Sequence, residues 1–109
     1  MAYDEELAAR VRVALAHRRN VTEKKMFGGV GWLLRGNICV GVWKRWLVAR
    51  LGGEYAEALR DANVRAFDIT GKPMKGWVMV EPAGVVTDED LRDWVSRCVA
   101  FVRTLPAKV

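Results

Sequence analysis

The sequence predicts an α+β domain in two layers, with an antiparallel five-stranded sheet and helices in the order α-β-β-β-α-β-β-α. Its 109 residues are 51% hydrophobic, which is enough for one packed core, and the chain is too short for two domains. Apolar residues recur at helical spacing near both ends, whereas the middle contains short apolar runs separated by turn-like interruptions. Because hairpins group the strands, which do not alternate with helices, an antiparallel sheet is favoured. We therefore treat residues 1–109 as one domain.

The sheet is organised around the apolar stretch at residues 26–51, MFGGVGWLLRGNICVGVWKRWLVARL. Its two polar interruptions, Arg-Gly-Asn and Lys-Arg, are each short enough for a tight hairpin connection. A first strand begins at residues 21–27, and Gly28, Gly29 and Gly31 predict a bend or bulge in it, because glycine tolerates unusual dihedral angles. This first strand continues through residues 30–34, and the other two strands of the meander are predicted at residues 38–43 and 46–51.

Two longer helices are predicted near the ends of the sequence. The first runs from Asp4, which is suited to the N-cap, to about residue 18. The last begins at Thr87 or Asp88 and reaches about residue 104, before a proline that stops its continuation. Both helices have acidic residues in the first turn, where negative charge complements the helix dipole.

A short helix and two further strands lie between the meander and the last helix. The helix is predicted at residues 54–61, and the strands at 64–70 and 76–81. The strands are separated by a Gly-Lys-Pro-Met-Lys loop, because proline cannot take a central position in a strand ladder. The predicted buried stripes are Leu7, Val11, Ala14 and Leu15; Tyr55, Ala58 and Leu59; and Leu91, Trp94, Val95, Cys98, Phe101, Val102 and Leu105.

The strands look apolar on both faces, although the helices of a two-layer domain cover only one face of the sheet. In the strand at residues 46–51, Trp46 and Val48 share one face, whereas Leu47 and Ala49 share the other. Some apolar surface is therefore expected to remain exposed, and such a patch usually marks a site of association. We predict a homodimer or a surface that binds a protein partner.

The N-terminal sequence predicts a cytoplasmic protein that does not associate with membranes. It opens with acidic residues, MAYDEELAAR, and lacks the apolar region of a secretory signal. Charged residues and glycines break the apolar runs well short of the roughly 20 residues that a membrane-spanning helix needs.

The sequence is poor in groups that perform catalysis or hold a metal. His17 is the single histidine and lies among arginines near a helix end, and Ser96 lies within a helix without a nucleophile elbow. Cys39 and Cys98 lack the spacing of a metal or redox motif, which predicts buried free thiols. Both clusters of carboxylates stand at helix starts, where capping explains them. We predict no catalytic residues, no metal, no cofactor and no enzymatic activity.

The basic character of the chain permits two kinds of partner. A net charge of +5 and a pI near 9.6 suit either nucleic acid or an acidic protein. The lysines and free backbone amides of the Gly-Lys-Pro-Met-Lys loop are suited to contact an anion, and basic residues beside Trp43 and Trp46 are typical of proteins that bind single-stranded nucleic acid. The candidate contacts with a partner or with nucleic acid are Lys24, Lys25, Lys44, Arg45, Lys72 and Lys75.

Three motifs closely resemble the N-terminal domain of the TfoX/Sxy family. They are KMFGGVGW at residues 25–32, FDITGKPMKGWVMV at residues 67–80 and D-x-x-L-x-x-W-V at residues 88–95. The resemblance implies a two-layer fold with an antiparallel sheet, similar to the secretion-chaperone-like architecture, and supplies no catalytic residues. Named members resemble regulators of natural competence, proposed to act with the cyclic-AMP receptor protein in transcription. They carry a second, C-terminal domain that these 109 residues do not include.

Residue patterns and resemblance together predict a non-enzymatic regulatory or protein-interaction domain. The resemblance implies a partner in the transcription machinery, and the uncovered sheet face and the Gly-Lys-Pro-Met-Lys loop are the predicted contact surfaces. Direct binding of nucleic acid through the six basic residues is the alternative.

Overall fold

The structure is a computed structural model that describes residues 3–26, 28–68 and 71–108. Within these residues, three α-helices and one six-stranded sheet form the domain. The helices are α1 (Glu5–Leu15), α2 (Tyr55–Ala58) and α3 (Asp88–Val102), with 3₁₀ turns at Gly52–Glu54 and Pro82–Gly84. The strands are β1 (Val21–Met26), β2 (Gly29–Leu34), β3 (Asn37–Trp43), β4 (Trp46–Arg50), β5 (Val64–Ala66) and β6 (Trp77–Val80).

The sheet is antiparallel throughout, with strand order β1-β2-β3-β4-β6-β5. This confirms the α+β class and the antiparallel sheet, but the predicted number of five strands is wrong. The predicted first strand is two strands, because the chain reverses between Met26 and Gly29, which face each other across β1 and β2. Gly28 has a φ of +78° in this connection, and glycine adopts that conformation without steric cost.

The bulge in the meander lies on β3, away from the glycines where it was predicted. Trp32 pairs with Val40, and Leu33 pairs with Ile38, so Cys39 has no residue opposite it on β2. An extra residue of this kind changes the alternation of side chains along the strand. It places Ile38 on the same face as Gly41, whereas Val40 faces the helices.

The two long helices begin at the capping residues that the sequence predicts. The side chain of Asp4 accepts a hydrogen bond from the Leu7 amide at 3.0 Å, and Thr87 Oγ1 accepts one from the Asp90 amide at 3.0 Å. The first helix ends at Leu15, three residues before the predicted end. Leu59 directly follows the short α2, and its predicted burial is wrong, since this side chain is 37% exposed.

The remaining bounds differ from the predictions at the sheet edge. The strand predicted at residues 64–70 ends at Ala66, and residues 69 and 70 lie outside the described residues. The strand predicted at residues 76–81 is confirmed as β6. Since β5 pairs only with β6, it forms one edge of the sheet, and β1 forms the other.

The core lies between one face of the sheet and helices α1 and α3, which contact each other and β3. Strand alternation places Trp32, Val42, Leu47 and Val80 on this side, and all four are at most 2% exposed. Cys98 in α3 is fully buried against them. The predicted two-layer arrangement is therefore present, and no helix of the described residues packs on the opposite face of the sheet.

Candidate functional site: an apolar groove on the uncovered sheet face

A groove of about 260 Å³ lies on the face of the sheet that the helices leave uncovered. Gly31 of β2 and Gly41 of β3 are paired across the strands and form part of its floor. Side chains from the sheet and from the β5–β6 connection form its walls, and almost all of the atoms that face the groove are apolar. We call this site the sheet groove; its lining includes Met26, Gly29, Gly31, Ile38, Gly41, Trp43, Val48, Phe67, Met74 and Trp77.

Backbone atoms leave no room for a side chain at two glycines of the floor, whereas a third glycine faces only a flexible side chain at close range. A Cβ atom on Gly29 would collide with the carbonyl oxygen of Val42, and one on Gly41 would lie 2.9 Å from the carbonyl oxygen of Val30. Backbone atoms of the neighbouring strand therefore leave no room for a side chain at Gly29 or Gly41. A Cβ atom on Gly31 would meet the terminal methyl of Met26 at 3.3 Å, which is the end of a flexible side chain. Gly31 is thus the position where the missing side chain leaves space in the groove.

The β5–β6 connection supplies the wall that a flat sheet lacks. The Met74 amide donates a hydrogen bond to the Phe67 carbonyl oxygen at 3.0 Å, which brings the two residues together beside the sheet. The rings of Phe67 and Trp77 lie 5.7 Å apart between centroids and are tilted by 31°. Met74 remains 40% exposed, so this wall stays partly open to solvent.

The six predicted contact residues are all exposed, and the structure brings four of them to one end of the sheet. Lys25 pairs with Val30, which in turn pairs with Val42 of β3, just before the turn to β4. The structure places Lys24 and Lys25 on the edge strand β1, Lys44 and Arg45 in the β3–β4 turn, and Lys72 and Lys75 in the β5–β6 connection. Their role as contacts stays a prediction.

Three of these lysines directly adjoin lining residues of the sheet groove. Lys24 pairs with Gly31 and lies on the same face of β1 as Met26, Lys75 follows Met74, and the Lys44 ammonium lies 4.6 Å from the centre of the Trp43 ring. Asp68, which follows Phe67, is the one carboxylate next in sequence to a lining residue. The rim of the groove is therefore mainly positive around an apolar interior.

A charged network on the other side of the sheet serves the fold. Glu23 of β1 accepts two hydrogen bonds from the Arg12 guanidinium, at 2.7 and 2.9 Å, and one from the Trp32 indole nitrogen at 3.0 Å. The hydrogen bonds and charge of Arg12 lower the pKa of Glu23 below its usual range. This network joins α1 to the β1–β2 hairpin, so the edge strand is held to the domain by more than its ladder.

The two cysteines are buried free thiols, as the sequence predicts. Burial raises the pKa of Cys39 to about 12 and also raises the pKa of Cys98, so neither forms a thiolate near neutral pH. His17 and Ser96 are exposed, and neither lines the sheet groove. Among residues 3–26, 28–68 and 71–108, no three His, Cys, Asp or Glu side chains come together as metal ligands.

The sequence predicts apolar surface on the uncovered face but does not reveal the shape of the site. It assigned the glycines to sheet shape and Met74 to a basic contact loop. The groove arises because Met74 and Phe67 meet above a floor without side chains, which requires contacts between residues 26–48 and 67–77. No local pattern reports such a contact; the only available signal was the clustering of small and large apolar residues in two separate motifs.

The fold and this groove define a two-layer α+β domain with one helix-covered sheet face and one open apolar face. The model of the TfoX N-terminal domain family matches residues 13–102, so the chain belongs to that family, as the motifs predicted. Neither a curated protein nor a solved structure matches the chain. None of the helices in the described residues is long and apolar enough to cross a membrane.

Proposed function

We propose that this protein is a non-enzymatic regulatory domain that binds a protein partner through the sheet groove. The partner segment inserts an apolar side chain into the groove and places acidic side chains on its rim. Membership of the TfoX N-terminal domain family supports a regulatory role, and we extend it to cytoplasmic transcription regulation in the context of competence. The observation that carries the binding proposal is an almost wholly apolar groove on a sheet face without helical cover.

The size of the groove favours an anchoring side chain over a cofactor. Its volume of about 260 Å³ lies just below the roughly 300–1,000 Å³ of sites that enclose small molecules. A protein partner needs less, because one or two buried anchor residues contribute most of the energy of many interfaces. Two methionines in the lining, Met26 and Met74, suit this role because their flexible thioethers adapt to different apolar shapes.

The charge of the rim favours an acidic segment. Lys24, Lys44 and Lys75 adjoin the lining, and no salt bridge in the described part of the chain occupies them. A basic partner would meet these ammonium groups with like charge, and such juxtaposition disfavours association. An apolar anchor flanked by Asp or Glu therefore matches both the interior and the rim.

An NMR titration with defined peptides tests this proposal. The probe is an acidic peptide with one central phenylalanine, and its control is the same peptide with alanine at that position. The indole signals of Trp43 and Trp77, which line the groove, are expected to shift with the phenylalanine peptide only. The indole of Trp32 donates to Glu23 on the helix side and serves as an internal reference that should not shift. Equal shifts with both peptides would contradict an apolar anchor.

A groove-filling variant supplies the second arm of the test. Gly31→Val places a side chain in the groove, where its Cβ meets the flexible Met26 side chain at 3.3 Å and the Val40 carbonyl oxygen at an ordinary contact distance of 3.8 Å. We expect it to weaken peptide binding by about tenfold or more, a loss of about 1.4 kcal/mol. Gly53→Val is the matched control, because a Cβ on Gly53 contacts nothing within 4 Å and Gly53 lies outside the groove. Unchanged affinity in Gly31→Val would overturn the proposal.

A second copy of the chain is the other occupant to be tested. Sedimentation at high micromolar concentration distinguishes a monomer from the predicted homodimer. If the wild type dimerises and Gly31→Val restores the monomer, then the groove is a self-association site and the proposed acidic partner is wrong. A monomer in both proteins leaves the groove free for the peptide.

Direct nucleic-acid binding through the six basic residues is less well supported by the geometry. The Lys44 ammonium lies over one face of the Trp43 ring. A base that stacks on Trp43 would need a free ring face. Titration with single-stranded DNA and RNA at two salt concentrations tests this alternative. Binding that weakens with salt, as release of counterions requires, would support it, and the absence of such binding would exclude it.

A further inference from the structure

A second concave site lies where α1 ends, β2 turns into β3 and α3 ends. It has a volume of about 330 Å³, and four of its eight lining residues are arginines. We call it the arginine pocket; it is defined by His17, Arg18, Arg19, Asn20, Arg35 and Arg103. None of these residues lines the sheet groove, so the two sites are separate.

The chain segments that form this pocket carry no carboxylate. Residues 13–22, 34–38 and 99–108 contain five Lys or Arg and no Asp or Glu. The whole chain has 18 Lys and Arg against 13 Asp and Glu, so these five residues equal its entire excess of positive charge. The salt bridges in the described part of the chain use Arg10, Arg12, Arg65 and Arg97, and none uses an arginine of the pocket.

One donor in the pocket is buried and has no partner. Arg18 Nε is the one buried side-chain nitrogen or oxygen without a hydrogen bond among the described residues. Such a group loses its hydration without compensation, at a cost of about 1–3 kcal/mol, and more when charged. The described residues therefore leave the Arg18 guanidinium, which belongs to a residue that lines the pocket, partly unpaired.

The pocket is also held in a fixed shape. Asn20 and Arg35 both have positive φ, at 62° and 51°, and the Arg35 amide donates to the Asn20 carbonyl oxygen at 2.9 Å. The Arg35 guanidinium donates to the Arg103 carbonyl oxygen at 3.0 Å, which ties the β2–β3 turn to the end of α3. These contacts join the three segments without neutralising their charge.

Compensation of helix dipoles accounts for only part of this charge. Each helix C-terminus corresponds to about half a negative charge, so the ends of α1 and α3 together balance about one cation. Four arginines line the pocket, which leaves an excess of about three positive charges.

We propose that the arginine pocket binds a small phosphate-bearing anion of the size of a diphosphate or a small phosphate ester. Guanidinium groups match phosphate oxygens in paired hydrogen bonds, and a phosphate group carries about two negative charges near neutral pH. A single carboxylate carries only one negative charge and would leave most of the excess positive charge of the pocket unbalanced. The concave shape suits a compact anion that enters the pocket more than a nucleic-acid backbone that crosses a surface.

Calorimetric titration with inorganic pyrophosphate tests the proposal, with NMR to locate the ligand. Binding is expected to perturb the amides of residues 17–20, 35 and 103 and to leave the indole of Trp43 in the sheet groove unchanged. Arg18→Gln is expected to lower the affinity by about tenfold or more, because it removes one of the four guanidinium groups that line the pocket. Arg19→Gln, at an exposed position, provides a second variant if Arg18→Gln does not fold.

Arg92→Gln is the matched control, because Arg92 is exposed on α3, forms no salt bridge with any described residue and lies outside the pocket. It removes the same charge and is expected to change the affinity less than twofold. Equal losses of pyrophosphate affinity in the control and pocket variants would mean that net charge alone explains the effect, and would overturn the proposal. A single-stranded oligonucleotide that binds the same residues more tightly than pyrophosphate would also overturn it, in favour of nucleic acid.

Discussion

The three glycines of the sheet groove should respond differently to alanine, although all three lie in paired strands. A Cβ atom on Gly29 collides with the Val42 carbonyl oxygen, which cannot move without disturbing the ladder between β2 and β3. A Cβ atom on Gly41 lies 2.9 Å from the Val30 carbonyl oxygen, which is a milder overlap with the same ladder. A Cβ atom on Gly31 approaches closely only the end of the Met26 side chain, and the Val40 carbonyl oxygen lies at an ordinary contact distance of 3.8 Å.

These contacts set an order of stability among the variants. Overpacking against a fixed neighbour costs about 1–3 kcal/mol and occasionally more, so we expect a loss of about 3 kcal/mol for Gly29→Ala and about 1–2 kcal/mol for Gly41→Ala. Replacement of glycine by alanine also stabilises by about 0.4–1 kcal/mol through the unfolded chain. For Gly31→Ala this gain offsets the displacement of Met26, and we expect a change within about 0.5 kcal/mol.

Urea denaturation and thermal melting measure this order. At about 4 °C per kcal/mol for a domain of this size, Gly29→Ala should melt about 12 °C below the wild type and Gly31→Ala within about 2 °C of it. If Gly31→Ala loses as much stability as Gly29→Ala, then the floor of the groove is tightly packed and the proposed binding site does not exist. An unchanged slope of the unfolding free energy against urea confirms that the comparison is between native states.

Three further predictions concern residues outside the groove. Gly52→Ala should destabilise by about 2–4 kcal/mol in urea denaturation, because Gly52 has a φ of +61° and a Cβ atom there overlaps the Phe101 ring; a change below 1 kcal/mol would contradict that overlap. Glu23→Gln should flatten the acid side of the stability profile. The bond from Arg12 lowers the pKa of Glu23, so this contribution is present above the unfolded pKa and is lost as pH falls through the folded pKa; identical profiles for both proteins would refute it. The Cys39 thiol should resist iodoacetamide at pH 8 in the native protein and react after unfolding, because burial raises its pKa to about 12; rapid native labelling would show that it is accessible.

The sequence was informative where structure depends on local chemistry. Asp4 and Thr87 were recognisable as caps because they precede acidic, amphipathic stretches, and both accept the expected amide bonds. The alternation of Trp46 and Leu47 assigned them to opposite faces, and the structure agrees. These features depend on residues within one helical turn or one strand, where spacing alone determines geometry.

Features that depend on distant contacts were not predictable in the same way. A glycine cluster is compatible with a bulge or with a hairpin turn, and the pairing of Met26 with Gly29 decides between them. The arginine pocket was also missed, because His17 and Arg18 were assessed one helix at a time. Arg35 and Arg103 join them only when the sheet and α3 are packed together.

The two proposed sites should act independently, although strand β2 connects them. Gly31 in the groove floor and Arg35 in the arginine pocket are four residues apart on β2 and its turn, a distance of about 13 Å at 3.3 Å per residue. This exceeds the Debye length of about 8 Å at physiological salt, so an anion in the pocket weakens the attraction of the groove rim for an acidic peptide only slightly. We expect pyrophosphate to change peptide affinity less than twofold. A larger change would have to appear equally when peptide is added first, since coupling between two binding equilibria is reciprocal. Such coupling would show that the strand between the sites moves, and the separate treatment of the two sites would then be wrong.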